Sequence, residues 1–290
     1  MAYDGRIMQR ALARFDEDKQ RRGAQLEQRR RTAYARAPRL AEIDTELRGT
    51  MSRIISSALA RGTDPLPAIR VLRDENLQRE RVQLLASLGY PADWLEEKPA
   101  CAQCGDTGYV QGGVCPCLRA YYAREQLAEL SRLLPLGEDS FETFSFDWYD
   151  STVQPAFGVS PRENMERNFD VCRDYAYQFD RGGGNLLLSG GTGLGKTFLS
   201  ACIARVVSEN GFSVVYDTAA SVFSRFEDAK FRRDDGGSED ADRCMKCDLL
   251  ILDDLGTEMT TAFVQSALYQ IVNGRLMEKR ATIILSLIHI

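Results

Sequence analysis

The chain has 290 residues, 44% of them hydrophobic and 27% charged, with a formal net charge of −5. That apolar fraction excludes a disordered chain, and no run approaches the ~18 consecutive apolar residues that a membrane span needs. The single histidine, His289, excludes Ser-His-Asp, Cys-His and multi-histidine metal chemistry. Carboxylates, lysines, backbone amides and eight cysteines are left to carry any reaction.

Charge is unevenly spread. Residues 1–100 hold 19 Lys/Arg against 15 Asp/Glu, whereas 101–290 hold 18 against 27, which suggests two parts with different partners. Near the N-terminus Asp4, Arg6 and Arg10 occupy the place where a signal peptide needs an apolar run. The protein is therefore expected to be cytoplasmic, with cysteines as thiols or metal ligands rather than disulfides.

Residues 3–36 are polar, Arg-rich and free of proline, which predicts a long exposed helix closed at Pro38. From Leu40 through Ile43, Leu47 and Met51 to Leu59 the apolar steps are three and four, a second helical face ended by Gly62 and Pro65. A third helix is expected over 66–88, stopped by Gly89-Tyr90-Pro91. Residues 1–98 thus read as an α-helical, partner-binding domain. Between Lys19 and Arg36 there are seven basic residues and one acid, so Arg21, Arg22, Arg29, Arg30 and Arg31 form either a phosphate-binding stripe or a solvated face.

Over 99–118 the helical period is lost. Cys101-x-x-Cys104 and Cys115-x-Cys117 flank a glycine-rich hairpin, a spacing that can set four thiolates around a structural zinc. Reduced thiols or a redox pair are the alternatives. This module and its linker helix, predicted over 118–134, span 99–138. Near 160, Ser160-Pro161-Arg162-Glu163 is a capping box with proline in the first turn, and Met165, Phe169, Cys172, Ala176 and Phe179 continue one apolar face.

After Gly182-Gly183-Gly184 strands and helices alternate: strand 185–189, helix 196–209, strand 213–217, helix 219–231, a charged loop over 232–243, strand 248–252, helix 258–279 and a strand from Ala281. Such alternation predicts a parallel α/β sheet. Gly190-Gly191-Thr192-Gly193-Leu194-Gly195-Lys196-Thr197 fits G-x-x-x-x-G-K-[ST] in full, between a predicted strand and a helix. Its glycines let backbone amides converge on phosphate oxygens. Lys196 is placed to reach the outer phosphates and Thr197 to hold Mg²⁺. The apolar strand ending in Asp253-Asp254 supplies a second magnesium group, the acid Asp253, and a neighbouring carboxylate, Asp254, placed to orient or deprotonate water. Cys244-x-x-Cys247 runs into this strand and is expected to be structural, as are Cys172 and Cys202.

A complete strand and helix lie between the P-loop helix and the acidic strand. That order resembles the P-loop branch in which a later strand stands between the first and third, and it favours hydrolysis over small-molecule kinase chemistry. Together GGTGLGKTF, CDLLILDDLGTE and the preceding CAQCGDTGYV…CPCL cluster resemble the DnaC/DnaI-type ATP-binding proteins, AAA+ ATPases that include replicative helicase loaders and the related IstB transposition helpers. The resemblance covers about 99–284. It implies an α/β P-loop NTPase core of AAA+ type over 139–284, incomplete at its C-terminus and preceded by the helical domain and the zinc module. It implies ATP and Mg²⁺ at Gly190–Thr197 and Asp253, with Lys196 and Asp254 catalytic, and zinc at Cys101, Cys104, Cys115 and Cys117. The job implied is ATP-dependent loading of a hexameric replicative helicase onto single-stranded DNA, with possible self-assembly on that helicase and no membrane. An IstB-like transposition helper and a nucleotide-gated adaptor without significant hydrolysis are the alternatives.

One departure stands at the C-terminus. Where the family strand continues into a polar sensor, this chain reads Leu285-Ser286-Leu287-Ile288-His289-Ile290, with Leu287 in the sensor position. These six residues also match the translation of a transposon-end adapter, so 285–290 are expected to be a non-native read-through tail. A chain lacking the arginine finger and lid is expected to bind ATP weakly, to hydrolyse it poorly, and to leave the P-loop strand at an open, aggregation-prone sheet edge.

Overall fold

The computed structural model describes residues 3–61, 76–134, 139–180, 182–231, 235–257 and 261–287. Gly62, Pro65, Pro135, Gly137 and His289, and the first part of the expected third helix, lie outside the described residues. The chain divides into two compact units, residues 1–15 with 108–290, and residues 16–107. These limits differ from the sequence boundaries at 98 and 138. The first turns of the N-terminal helix carry Ile7, Ala11 and Phe15 on one face, and these are buried against Leu118 and Tyr122. That packing places them in the larger unit.

Helix α1 spans Gly5–Arg36. Asp4 caps it, its carboxylate accepting the backbone N–H groups of Arg6 and Ile7. Helices α2 (Pro38–Arg61) and α3 (Asn76–Ser87) follow in the smaller unit. Its small core joins Ala33, Leu40, Leu85 and Leu95, and the buried Arg81 bonds Asp44 at 2.7 Å. The hairpin β1 (Tyr109–Val110) and β2 (Gly113–Val114) and helix α4 (Pro116–Leu130) open the larger unit's continuous stretch. Helix α5 (Pro161–Tyr177) starts at the expected capping box, with Ser160 and Glu163 bonding each other's backbone N–H.

The main sheet holds β3 (Leu186–Ser189), β4 (Val214–Thr218), β5 (Leu249–Leu255) and β6 (Ala281–Ser286), all parallel, in the order β3-β6-β5-β4. A later strand, β6, therefore separates the glycine-loop strand from the acidic one, the strand order that the sequence predicts. Among the described residues β3 has a strand neighbour only on the β6 side, and Leu187 on it is 53% exposed. Strand β6 runs through Leu285 and Ser286, both buried.

Helices α6 (Lys196–Glu209), α7 (Ala219–Phe231), α8 (Asp235–Lys246) and α9 (Ala262–Met277) complete the layers. Both sheet faces are covered, which explains the unbroken apolar run Leu249-Leu250-Ile251-Leu252. Leu249 and Ile251 turn toward Phe169, Cys202 and Ile203 on α5 and α6. Leu250 and Leu252 turn toward Val222, Phe223, Cys244 and Ile271 on α7, α8 and α9.

One element departs from expectation. Much of the segment expected as a charged loop, 232–243, is helix α8. Basic residues Arg243 and Lys246 in its last turn suit the helix dipole, and its final carbonyls are capped from afar by Arg275. The fully buried Arg275 donates to the carbonyls of Cys244 (2.7 Å), Met245 (3.2 Å) and Cys247 (3.1 Å). A distant guanidinium cannot be read from the local sequence of the segment it stabilises.

Candidate functional site

Strand β3 ends at Ser189, and the chain turns through Gly190–Gly195 into α6. Gly190, Gly193 and Gly195 all have positive φ, and Gly195, the N-cap of α6, sits at φ +84°. A Cβ at Gly195 would meet the Tyr149 hydroxyl at 2.8 Å. That hydroxyl in turn donates to the Leu194 carbonyl at 3.3 Å. The loop is thus braced from outside by an aromatic group that includes Phe144 and Phe198. The Gly190 N–H bonds the Ser286 carbonyl on β6 at 3.2 Å, anchoring the start of the loop to the sheet. Lys196 reaches back across the loop, its Nζ donating to the carbonyls of Gly190 (2.8 Å) and Gly191 (2.7 Å).

Asp253 comes to the same place from β5. Its carboxylate is buried, and the Thr197 hydroxyl lies 3.5 Å from Oδ2. Sequence reading put the two acids at or just past the strand end. Both in fact lie inside β5, at an irregularity where its register against β6 shifts between Leu252 and Leu255. Asp254 there takes φ +56° and is exposed, while its N–H donates to Asp253 Oδ1 at 2.7 Å. The shift lets adjacent residues differ: one carboxylate points inward to Thr197, and the next faces solvent.

Glycines at positive φ leave the backbone of the turn bare of side chains, as amides that meet phosphate need, and Thr197 with Asp253 supplies the hard oxygen donors that magnesium takes. The residues present therefore fit a magnesium–nucleotide. A cavity of about 790 Å³ opens beside the loop, lined by Phe157, Asn164, Asn168, Leu187, Gly190 and Lys196 among others.

Residues 171–289 match the family model of the IstB-like ATP binding protein. The replicative helicase loader DnaC of Escherichia coli K12 is 31% identical over 122 residues, covering 41% of this chain and 49% of the relative. DnaC of Buchnera aphidicola subsp. Baizongia pistaciae is 28% identical over 118 residues, covering 40% and 48%. Residues 171–289 are thus similar to the IstB-like family. The chain spans about half the length of these curated relatives. A solved DnaC helicase loader structure is 18% identical, with 54% of this chain and 80% of the other covered and a TM-score of 0.44.

Within the matched segment, sequence reading missed Tyr216. From β4 its hydroxyl donates to Asp253 Oδ2, and burial followed by the adjacent Asp253 pushes the phenol well above its ordinary range. Only a generic signal pointed to it, an aromatic on the strand paired with β5. Ser286 was also missed as a structural contact: its hydroxyl donates to the Leu255 carbonyl at 2.9 Å, tying β6 to β5 beside the acids. Cys244 and Cys247 are buried in the core, as are Cys172 and Cys202.

The cysteine cluster precedes the matched segment. The sulfur atoms of Cys101, Cys104, Cys115 and Cys117 all lie within 4.8 Å of one another. Four clustered thiols are the donor set that a structural zinc takes. Asp106, which sequence reading did not single out, shapes the first knuckle. Its carboxylate accepts the N–H groups of Ala100 (3.0 Å) and Cys101 (2.9 Å) and an Arg22 bond of 2.8 Å. Burial raises the Asp106 carboxyl, but these donors outweigh it and hold it below the usual range. Of the basic stripe, Arg21 and Arg30 pair with Asp18 and Glu27 on their own helix, and Arg29 and Arg31 are exposed. Among the described residues no helix is long and apolar enough to cross a membrane.

Proposed function

We propose that this protein is a cytoplasmic ATPase of DNA replication that loads or remodels a hexameric replicative helicase. The observation that carries the reading is the convergence of the glycine loop, Lys196, Thr197 and Asp253 at one point of the sheet. Gly190–Thr197 hold the phosphates of ATP through the backbone amides and the α6 N-terminus. Lys196 exchanges its loop carbonyls for the outer phosphate oxygens, and Thr197 and Asp253 hold magnesium. Magnesium, when bound, offsets phosphate charge and draws electron density from the outer phosphate. Asp254, exposed beside Asp253, orients the attacking water and accepts its proton. The cavity between Phe157 and Leu187 suits the nucleoside.

Cys101, Cys104, Cys115 and Cys117 bind a structural zinc, and residues 1–98 meet the helicase. The exposed arginines of α1 suit single-stranded DNA or an acidic protein surface, and self-assembly on the helicase accompanies loading. The homology to DnaC loaders supports this reading at the level of the ATP-binding segment. A second reading, an IstB-like transposition helper, is supported by the match of residues 171–289 to the IstB-like ATP binding protein family.

The test is twofold. Binding of a fluorescent ATP analogue by the purified chain should be lost in Lys196→Ala. Affinity capture from the source cells should retain a replicative helicase. A transposase in its place would favour the second reading, and no nucleotide binding by the unaltered chain would overturn both.

A further inference from the structure

The P-loop and the paired aspartates account for the ligands of a magnesium–nucleotide, but not for what holds Asp253 in one orientation. A carboxylate turns about χ2 with little preference, so a magnesium acid needs fixed donors around it. Asp253 Oδ1 accepts the N–H of its neighbour Asp254 at 2.7 Å. Its Oδ2 meets Thr197 at 3.5 Å, a long contact, and the Tyr216 hydroxyl, a close one. Tyr216 lies on β4 opposite Ile251, two residues before the partner of Asp253, so its ring points to the same sheet face as Asp253. The ring is 8% exposed and packs in the core between the sheet and α6. It cannot swing away without opening that core.

We propose that Tyr216 is a positioning residue of the magnesium site, its hydroxyl holding the Asp253 carboxylate toward Thr197. The inference rests on the ATP-binding reading above. Thr197 belongs to the loop that meets the phosphates, whereas Tyr216 belongs to the next strand. The acid is thereby held in place independently of the loop. Without the phenol donor, Oδ2 keeps only the long Thr197 contact, and part of the energy of metal binding goes into ordering the carboxylate.

Tyr216→Phe removes the donor and keeps the buried ring. The dissociation constant of a fluorescent ATP analogue is measured with Mg²⁺ and again with EDTA, for the unaltered chain, Tyr216→Phe, Asp253→Asn and the double variant. A hydrogen bond to a charged group is strong enough for Tyr216→Phe to shrink the gain from Mg²⁺ about 5- to 10-fold. Metal-free affinity should stay within about twofold. Asp253→Asn should abolish the gain, and the double variant should match it. A tyrosine with a purely structural role would instead weaken both constants alike and lower the urea midpoint. That pattern, or an unchanged gain from Mg²⁺ in Tyr216→Phe, or additive losses in the double variant, overturns the inference while leaving nucleotide binding intact. Absence of binding by the unaltered chain overturns the ATP reading and this inference with it.

Discussion

Arg275→Met should unfold the larger unit more readily than any other single change in its second core layer. Arg275 is fully buried, and its fork ties three segments together. Besides the α8 carbonyls it donates to the Ala281 carbonyl at 2.5 Å and to Thr282 Oγ1 at 3.0 Å on β6. Methionine matches the length of the stem but leaves the Cys244 and Ala281 carbonyls with no donor of comparable quality. Each orphaned carbonyl costs about 1–3 kcal/mol, and sparing the burial of a cation returns part of that. A net loss of about 3 kcal/mol follows, equivalent to about 6–12 °C in melting temperature for a unit of this size. Urea unfolding followed by far-UV circular dichroism measures it, with an unchanged slope showing that the denatured state is unaltered. Arg275→Lys should fall between the two, since an ammonium has the charge but not the fork. A loss below about 1 kcal/mol in Arg275→Met would show that desolvation of the guanidinium cancels its bonds, and would refute the capping argument.

Other outcomes follow from the same contacts. Gly195→Ala forces a side chain into φ +84° and against the Tyr149 hydroxyl, and should weaken ATP-analogue binding at least about tenfold in a fluorescence titration. The purified protein should carry one zinc per chain by elemental analysis, and chelation should release exactly the four clustered thiols to Ellman's reagent while lowering the melting temperature. The remaining thiols should stay silent in the native protein, because burial pushes Cys172 up to about 11 and Cys202 and Cys244 up to about 12. Burial also raises the Glu129 carboxyl, but Arg10 and Arg243 beside it outweigh that and leave it below the usual glutamate value. Its contribution to stability is therefore present above the unfolded pKa and lost as pH falls through the folded one. Glu129→Gln should flatten the acid limb of the stability–pH curve between about pH 5 and 3, read from urea midpoints.

The alternating core of the sheet, the capping box at Ser160, the glycine loop and the apolar run before Asp253 were all legible in the sequence. Each is a local pattern whose physics is complete within a few residues: side-chain period, capping donors, or glycines at positive φ. The cysteine pairs were legible for the same reason, since ligand spacing along the chain decides whether four thiols can meet. Helix α8 was not legible, because its last carbonyls are satisfied by Arg275, some thirty residues further along. The placement of the two aspartates was only half legible. Their adjacency is in the sequence, but one turns inward and the other outward because β5 slips its register against β6. Tyr216 and Asp106 lay beyond reach altogether. Each acts through a carboxylate or backbone group that only packing brings to it: β4 beside β5 for Tyr216, and α1 beside the cysteine turn for Asp106. What the chain order determines is which chemistry is available and in which strand it lies. Which groups hold that chemistry still is decided by the sheet, because register and buried donors are properties of neighbours rather than of the residues themselves.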